Sequence, residues 1–452
     1  MGREAMDGEA RKFRNFEALA AADGGSPAPA VLVLGGSTFM GRALVERLVA
    51  RPARLCVVNR GRTYWGTDDP SCGKAARLMA DRRDAKAFAT ALDEATRRLG
   101  GSAPRWDLVA DFSAFNGPDI RAALDGLQGR FDRYVYISSD SVYEVSAWAG
   151  ECWLPRPTAV PHAPLVVEGD SERPAEGSRR RALKRADGYG DGKLEAEEAL
   201  AAGLAEHSGS GPGLALRLPD VIGPFDDTLR LWAFWHWLQA GPQEPPQVHD
   251  PRSVKRPRRS LAEDGGRSRQ AADGKPSEEL LFEEPDTVPL TFVFSHDVAR
   301  FIDGLLDSAS ATATAPPPSF DAVNLACQEQ PDLRGFLGLL ATASGLQSPP
   351  RLAEVEKPRT FLPSVERPWN LSCQRMLEVY RFTPTPLADV LKSCAEWFAK
   401  DIRALAVEFL ELRTWSSVLP RLYVCDWGYI LPSGESPLGS THSPMGSPHF
   451  GV

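Results

Sequence analysis

The chain lacks the features of a disulfide-stabilised, zinc-binding or membrane-spanning protein. Its seven cysteines are odd in number, scattered, and never arranged as Cys-x-x-Cys, which argues against a disulfide framework or a zinc site, and no metal site is expected. No run of about 18 uninterrupted apolar residues is present, so a membrane span is not expected. The N-terminus is charged and has no apolar run of the kind that a secretory signal needs. These absences predict a soluble protein in a reducing, cytoplasmic compartment.

The charge balance is also unlike that of a protein built around a polyanion. The 452 residues carry 52 basic and 60 acidic side chains, for a net charge of −8. This disfavours nucleic acid as a partner and favours a small-molecule substrate. A composition of 42% apolar and 25% charged residues is that of an ordinary globular protein, and the length predicts two to three domains at roughly 150 residues each.

From residue 30 onward, short apolar runs alternate with helical patterns. The run at 31–34, the helical spacing at 41–50 and the run at 55–58 together form a βαβ unit. Further strands are expected at 76–80, 107–115, 133–138 and 214–218, and helices at 85–99 and 193–207. Such alternation predicts an α/β fold with a doubly wound parallel sheet.

A glycine-rich turn lies between the first strand and the first helix. Its residues are Gly35, Gly36, Ser37, Thr38, Phe39, Met40 and Gly41. The amides and partial positive charge of a helix N-terminus bind a pyrophosphate, Gly35 permits the tight turn, and Gly41 lets the helix pack closely on the strand. Thr38 occupies the place of the usual middle glycine. The pattern predicts a dinucleotide site, and a purely structural turn is the alternative.

The residues that follow the second strand bear on which dinucleotide binds. Asn59, Arg60 and Arg62 stand where an acidic residue would select NAD. Because arginine forms bidentate bonds to phosphate, we predict NADP, with NAD as second choice; solvated arginines are the alternative. Asp81 and Arg82 follow the third strand and are assigned to the same site. Asp81 would accept a bond from the adenine amino group or cap a helix.

Three further residues form a candidate catalytic set. Ser139 ends the fifth predicted strand, and Tyr189 and Lys193 share one face of a helix at i and i+4. The ammonium would lower the pKa of the phenol, normally near 10, and make Tyr189 an acid or base. Lys193 would also hold the nicotinamide ribose, and Ser139 would bond the substrate oxygen.

These pieces together resemble a known family, the extended short-chain dehydrogenases/reductases of the NAD-dependent epimerase/dehydratase type. The GGxxxxG turn resembles in particular an atypical subgroup that includes the chloroplast stem-loop-binding-like proteins. The matching segments are GGSTFMG (35–41), NRGR (59–62), DRRD (81–84), ISSDSVY (137–143), YGDGK (189–193), RLPDVIGP (217–224), FSHDVARFI (294–302) and NLAC (324–327).

The resemblance implies a larger Rossmann domain, a smaller substrate domain, and Ser139, Tyr189 and Lys193 as catalytic residues. We therefore expect the following organisation: a flexible tail (1–29), an NAD(P)-binding domain (30–218, completed by part of 287–330), a mainly C-terminal α/β substrate domain (219–415), and an extension (416–452) that is disordered from about 432. The apolar run at 423–431 is either a docked strand or an interaction segment.

Three polar stretches interrupt this order, at 168–187, 250–286 and 308–319. Each is expected to be a surface insertion or loop, and a functional basic patch is the alternative for the first two. Tyr189 follows Ser139 by 50 residues, about twice the family's usual gap, and the stretch 168–187 accounts for the excess and is a candidate flap.

The leading hypothesis is an NAD(P)-dependent oxidoreductase or epimerase that moves hydride at a hydroxyl or carbonyl carbon, with a nucleotide sugar as candidate substrate and a homodimer as candidate assembly. One alternative is a Rossmann-fold RNA-binding or regulatory protein. Another is a sugar-nucleotide dehydratase that uses Asp140, although capping of a turn is the simpler role for that residue. Trp232, Trp235 and Trp237, around His236, either stack on a substrate ring or belong to a core.

Overall fold

The computed structural model describes residues 28–61, 74–100, 102–148, 165–226, 228, 230–240, 279–282, 289–308, 318–346, 351–354 and 369–402. The strands in these ranges are β1 Ala30–Leu34, β2 Arg54–Asn59, β3 Ala76–Met79, β4 Leu108–Asp111, β5 Tyr134–Ser139, β6 Leu165–Val166, β7 Gly213–Leu218, β8 Asp220–Ile222, β9 Glu279–Phe282, β10 Phe292–Phe294, β11 Phe320–Asn324, β12 Arg351–Glu354 and β13 Asn370–Leu371.

The α-helices in these ranges are α1 Phe39–Leu48, α2 Ala85–Arg97, α3 Gly117–Leu127, α4 Gly177–Ala186, α5 Gly188–Glu206, α6 Arg230–Ala240, α7 Ser295–Ser308, α8 Leu333–Ala343, α9 Gln374–Glu378 and α10 Leu387–Trp397. Short 3₁₀ helices occupy Asp140–Val145 and Glu168–Ser171, and a π-helical turn spans Phe398–Ile402. No helix among the described residues is long and apolar enough to cross a membrane.

Seven strands form one parallel sheet in the order β3-β2-β1-β4-β5-β7-β11. In the register of the central strands, Leu34 of β1 lies between Val58 of β2 and Asp111 of β4. The strand order reverses between β1 and β4, and in such sheets ligands bind outside the carboxyl ends of the strands at this point. The prediction of a doubly wound parallel sheet is confirmed.

Helices cover both faces of the sheet. Apolar side chains of α1 and α7 pack on one face, and those of α2, α3 and α5 pack on the other. All residues of β1, β5 and β7 are buried, as expected for parallel strands covered on both sides. Each large aliphatic side chain buried in this way contributes about 1.5–3 kcal/mol. The carboxyl ends of the strands are therefore supported by apolar packing on both faces of the sheet.

A further apolar cluster forms outside the sheet from α6, α8, α10 and β10. Trp232 and Trp235 belong to it, and the Trp235 ring lies 5.6 Å from the ring of Phe398. These two tryptophans are therefore core residues. Of the two roles that the sequence left open, a core position rather than stacking on a substrate ring is the one observed. The side chains of His236 and Trp237 lie outside the described part of the chain.

Two segments expected to be loops contain regular structure. The stretch 168–187 forms a 3₁₀ turn followed by α4, and Glu279–Phe282, inside the expected insertion 250–286, forms β9, which pairs with β12. Helix α4 has no fully buried residue; Leu183 packs against the core, and polar contacts also hold the helix, among them a bond of 2.5 Å from Arg179 to the carbonyl oxygen of Ala147. The polar composition of this stretch therefore led to the prediction of a loop where the structure has a helix. The segments 423–431 and 432–452 lie outside the described residues.

Candidate active site

The glycine turn is shaped by two left-handed backbone positions and by Asn59. Gly35 and Gly36 have φ angles of +110° and +83°, which side chains with a Cβ rarely adopt. The amide of Gly35 donates to the carbonyl oxygen of Val58 at 2.9 Å, and the side-chain amide of Asn59 donates to the carbonyl oxygen of Gly35 at 3.3 Å. Asn59 is buried, so its observed role is to fix the turn.

The first helix begins immediately after this turn and lies close against it. A Cβ on Gly41 would stand 2.8 Å from the Cα and nitrogen of Gly36, so only glycine permits the contact. Thr38 occupies the N-cap position of α1 without a capping side-chain bond, and Phe39 has a strained φ of +48°. The Thr38 side chain therefore does not cap the amides of this helix end, and uncapped helix amides are the groups that bind phosphate.

Phe225 connects the glycine turn to the apolar cluster that α6, α8, α10 and β10 form outside the sheet. Its carbonyl oxygen accepts a long bond of 3.5 Å from the Thr38 hydroxyl, and its ring lies 4.0 Å from the guanidinium carbon of Arg42. On its other side the ring is 5.4 Å from that of Trp397. Phe225 itself has a φ of +60°, so the chain bends sharply where it passes the turn.

The charged residues assigned to the cofactor occupy different environments. Arg60 is exposed after β2, and Arg62 lies outside the described residues. Asp81 accepts a bond from the amide of Arg83 at 3.0 Å and so closes a turn. Helix α2 is capped by Asp84, whose carboxylate accepts from the amide of Ala87 at 3.0 Å. The alternative of Asp81 as the helix cap is therefore wrong.

Arg82 is turned into the protein toward the end of β4. Its Nη2 pairs with Asp111 at 2.6 Å, and Tyr134 donates to the same carboxylate oxygen at 2.6 Å. Burial opposes ionisation of Asp111, but the Arg82 guanidinium outweighs it and holds the pKa of that carboxyl below its ordinary value. The Nε and Nη1 atoms of Arg82 are buried without a hydrogen-bond partner. Buried donors of this kind are rare and mark a place for an acceptor.

The same carboxylate shapes the loop that receives Lys193. The other oxygen of Asp111 accepts bonds from the amides of Ser113 and Ala114 at 2.9 and 3.1 Å. The carbonyl oxygen of Ala114 then accepts from Lys193 Nζ at 3.0 Å. A hydrogen bond therefore joins Lys193 directly to the loop that follows β4 at the switch point of the sheet.

Lys193 is buried, and no carboxylate of the described residues contacts its ammonium directly. Its Nζ also donates to the carbonyl oxygen of Ile137 at 2.9 Å, two residues before Ser139. The rings of Phe115 and Tyr136 each lie 5.0 Å from Nζ, and that of Tyr189 lies 5.7 Å away. Burial lowers the pKa of the Lys193 ammonium to about 8. An ammonium has three donors, so one remains beyond the two backbone bonds.

Tyr189 lies in the first turn of α5 and is half exposed. The helix is capped by Asp187, which accepts from the amides of Tyr189 and Gly190 at 3.0 and 2.9 Å. A Cβ on Gly190 would clash with the carbonyl oxygen of Ser141, and one on Gly192 would lie 2.9 Å from that of Phe115. The glycines of the YGDGK segment thus let this turn approach both the end of β5 and the β4 loop.

Ser139 is the last residue of β5 and is nearly buried. Its Oγ accepts a bond from the amide of Ser141 at 3.2 Å and contacts Asp140 Oδ1 at 3.4 Å. Ser139, rather than Asp140, therefore caps the 3₁₀ turn that follows. The bond to Asp140 is long and therefore weak.

A buried ionic network behind this site was missed by the sequence reasoning. Glu197 and Arg217 are 3% and 4% exposed and pair at 2.7 Å. Glu197 also accepts from Ser138 at 2.5 Å, and Arg217 donates to the hydroxyl of Tyr143 at 3.1 Å. The available signals were the position of Glu197, one turn after Lys193, and an arginine inside an apolar strand.

Solved structures share this fold along most of the chain. The UDP-glucose 4-epimerase of Thermotoga maritima, solved with UDP-glucose, has a TM-score of 0.53 at 16% identity and covers 82% of this chain and 99% of that one. The Bordetella bronchiseptica enzyme WbmH, in complex with NAD+, has a TM-score of 0.52 at 14% identity, with 83% and 99% covered. The UDP-Glc/GlcNAc 4-epimerase of Campylobacter jejuni has a TM-score of 0.52 at 11% identity, with 82% and 100% covered.

At these identities the likeness shows the fold alone, which this chain shares with WbmH and the two 4-epimerases. No protein-family model matches the sequence, and no curated protein sequence matches it. Placement in the GGxxxxG subgroup stays a prediction from the turn itself.

Proposed function

We propose that this chain is a nicotinamide-dependent epimerase or oxidoreductase that acts at a hydroxyl-bearing carbon of a nucleotide sugar. The observation that carries the proposal is the buried ammonium of Lys193. It is bonded to the backbone before Ser139 and lies beside Tyr189 at the same sheet edge as the glycine turn. The fold shared with UDP-sugar 4-epimerases supports the substrate class.

The residues present fit a dinucleotide. Glycines 35, 36 and 41 leave a cradle that a Cβ would fill, and the first helix offers uncapped amides for a pyrophosphate. The unpartnered nitrogens of Arg82 suit acceptor atoms of an adenosine. The residues that we assign to the cofactor are Gly35, Ser37, Thr38, Phe39, Met40, Gly41, Asn59, Arg60, Arg62, Asp81, Arg82 and Lys193. When bound, the nicotinamide would accept a hydride from the substrate and return one to it.

We favour NADP because no acid follows β2 and Arg60 is exposed there. NAD is the second choice, and the NAD+ complex of WbmH, which has the same fold, supports it. The identity of the dinucleotide thus depends on the arginines after β2, whereas the cradle suits both.

The chain's own residues would handle the proton. Tyr189 would take the hydroxyl proton of the substrate as its carbon is oxidised and give a proton back on reduction. Ser139 would exchange its long contact with Asp140 for a bond to the substrate oxygen, and Lys193 would stabilise the phenolate by its charge. Hydride returned to the opposite face of the substrate carbon would give an epimer, and release of the oxidised or reduced product would give a net redox reaction.

The proposal is tested with UDP-glucose and UDP-galactose, whose interconversion is followed by NMR in the presence of each dinucleotide. Replacing Tyr189 with Phe removes one oxygen atom, so folding and dinucleotide binding should survive while turnover falls by about 10²–10⁴-fold. Tyr380→Phe is the matched control, because the Tyr380 hydroxyl bonds Asp321 on another part of the fold and its loss should leave turnover unchanged. Equal turnover by wild type and Tyr189→Phe would contradict the assignment.

A further inference from the structure

Ion pairs and hydrogen bonds hold the first turn of α5 against the segment that precedes it. Asp191 stands between Tyr189 and Lys193 and is 5% exposed. One of its carboxylate oxygens accepts a bond from Arg173 and the other pairs with Lys184 at 2.8 Å. Arg173 also donates to the backbone carbonyl oxygen of Asp191 at 3.1 Å. All three bonds come from the stretch 168–187, which lengthens the distance in sequence from Ser139 to Tyr189.

Arg173 spans two turns of the helix. Its Nε pairs with Glu198 at 2.7 Å, seven residues beyond Asp191, so one planar guanidinium joins two side chains that lie about two turns apart on one side of α5. The segment that carries it is fixed at the other end, because Ala147 donates to the carbonyl oxygen of Glu172 at 2.6 Å and accepts from Arg179. The segment is therefore a brace between the 3₁₀ turn after Ser139 and the helix of Tyr189.

The brace matters because Asp191 is buried. Burial opposes ionisation of this carboxyl, but the bonds from Lys184 and Arg173 outweigh it and hold its pKa below the ordinary value. Without these cations the buried carboxylate would be left unpaired, which destabilises the conformation of the first turn that buries it. Tyr189 lies two residues away in the same turn, and a displacement of about 1 Å of a reacting group costs on the order of 10²-fold in rate.

We propose that Arg173, acting through Asp191, is a positioning residue for Tyr189, and that the stretch 168–187 is a brace of the catalytic helix. The inference rests on the proposed function only in taking Tyr189 as the acid or base. The order that the brace imposes on the first turn of α5 does not depend on the substrate.

The experiment compares Arg173→Gln, Arg173→Lys and Arg185→Gln in the full chain. Arg185 is an exposed arginine of α4 and serves as the matched control. Hydrogen exchange is measured by mass spectrometry for amides 190–194 and, as an internal reference, 200–206. Turnover of UDP-glucose is measured per folded molecule, with kcat and KM determined separately.

We expect Arg173→Gln to speed exchange at 190–194 by about tenfold or more, with 200–206 unchanged, because the opening is local. We expect kcat to fall by about 10–100-fold with KM for UDP-glucose changed less than about threefold. Arg173→Lys keeps a cation for Asp191 and should recover most of both losses, and Arg185→Gln should resemble wild type. Lys184→Met, which removes only the more exposed partner, provides the same comparison if Arg173→Gln does not fold.

Unchanged exchange at 190–194 in Arg173→Gln or Lys184→Met would overturn the inference. So would a loss of turnover that only follows the loss of folded protein, since that is what a merely structural ion pair produces. Absence of nucleotide-sugar turnover by the wild type would overturn the proposed function instead, and the exchange measurements would still decide whether the brace orders the helix.

Discussion

Replacing Arg217 with Met should be among the most destabilising single changes in the sheet. The substitution removes five hydrogen bonds, to Glu197, Tyr143, Glu168 and Ser171. It leaves the carboxylate of Glu197, itself 3% exposed, without its cation. Breaking a buried pair in this way costs about 3–5 kcal/mol, against a total stability of about 5–15 kcal/mol for a domain.

Urea unfolding followed by tryptophan fluorescence measures this free energy. Arg97→Met is the control, because Arg97 is 60% exposed and water screens its ion pairs on α2, so their loss should change the unfolding free energy little. Adding Glu197→Leu to Arg217→Met removes the orphaned charge and should restore part of the loss. The reasoning fails if Arg217→Met costs no more than Arg97→Met, or if the double variant is less stable than the single one.

Two further outcomes are expected. Because Lys193 has a pKa of about 8 when folded and 10.5 when unfolded, the unfolded chain binds the extra proton between these values. The unfolding free energy of wild type should therefore rise relative to Lys193→Met as pH increases through this window, by up to about 1.4 kcal/mol per unit, and parallel pH curves would contradict the burial of a charged Lys193. For the cofactor, NADPH should raise the melting temperature more than NADH at equal concentration, and Arg60→Ala should reduce that difference. An equal or larger rise in the melting temperature with NADH would refute the NADP preference. Gly41→Ala should reduce the rise in melting temperature with both dinucleotides, because its Cβ would meet Gly36 at 2.8 Å.

The parts of the fold that depend on local pattern could be read from the sequence. Continuous apolar runs indicated β1, β2 and β5, and apolar spacing indicated α2 and α5, because periodicity reports which faces are covered. The glycine turn and the Tyr189–Lys193 spacing were also visible, since both are set by residues within one turn of chain.

What the sequence did not show was which polar side chains are buried together. The sequence did not show that Arg82, which we assign to the cofactor, also pairs with Asp111 across the sheet edge, or that Asp84 rather than Asp81 caps α2. Helix α4 was not predicted because it is highly charged: Leu183 packs against the core, and the other contacts that hold the helix, to Ala147 and Asp191, are polar.

The sequence by itself therefore determined the parallel sheet, the turn at its switch point and the identity of the catalytic candidates. Tertiary structure alone decided how Lys193 and the polar residues around the site are held: Lys193 between two backbone carbonyls, Asp191 between two cations, and Glu197 against Arg217. The physical reason is that a polar group is exposed or buried, and paired or unpaired, only once distant segments close around it. No local pattern carries that information.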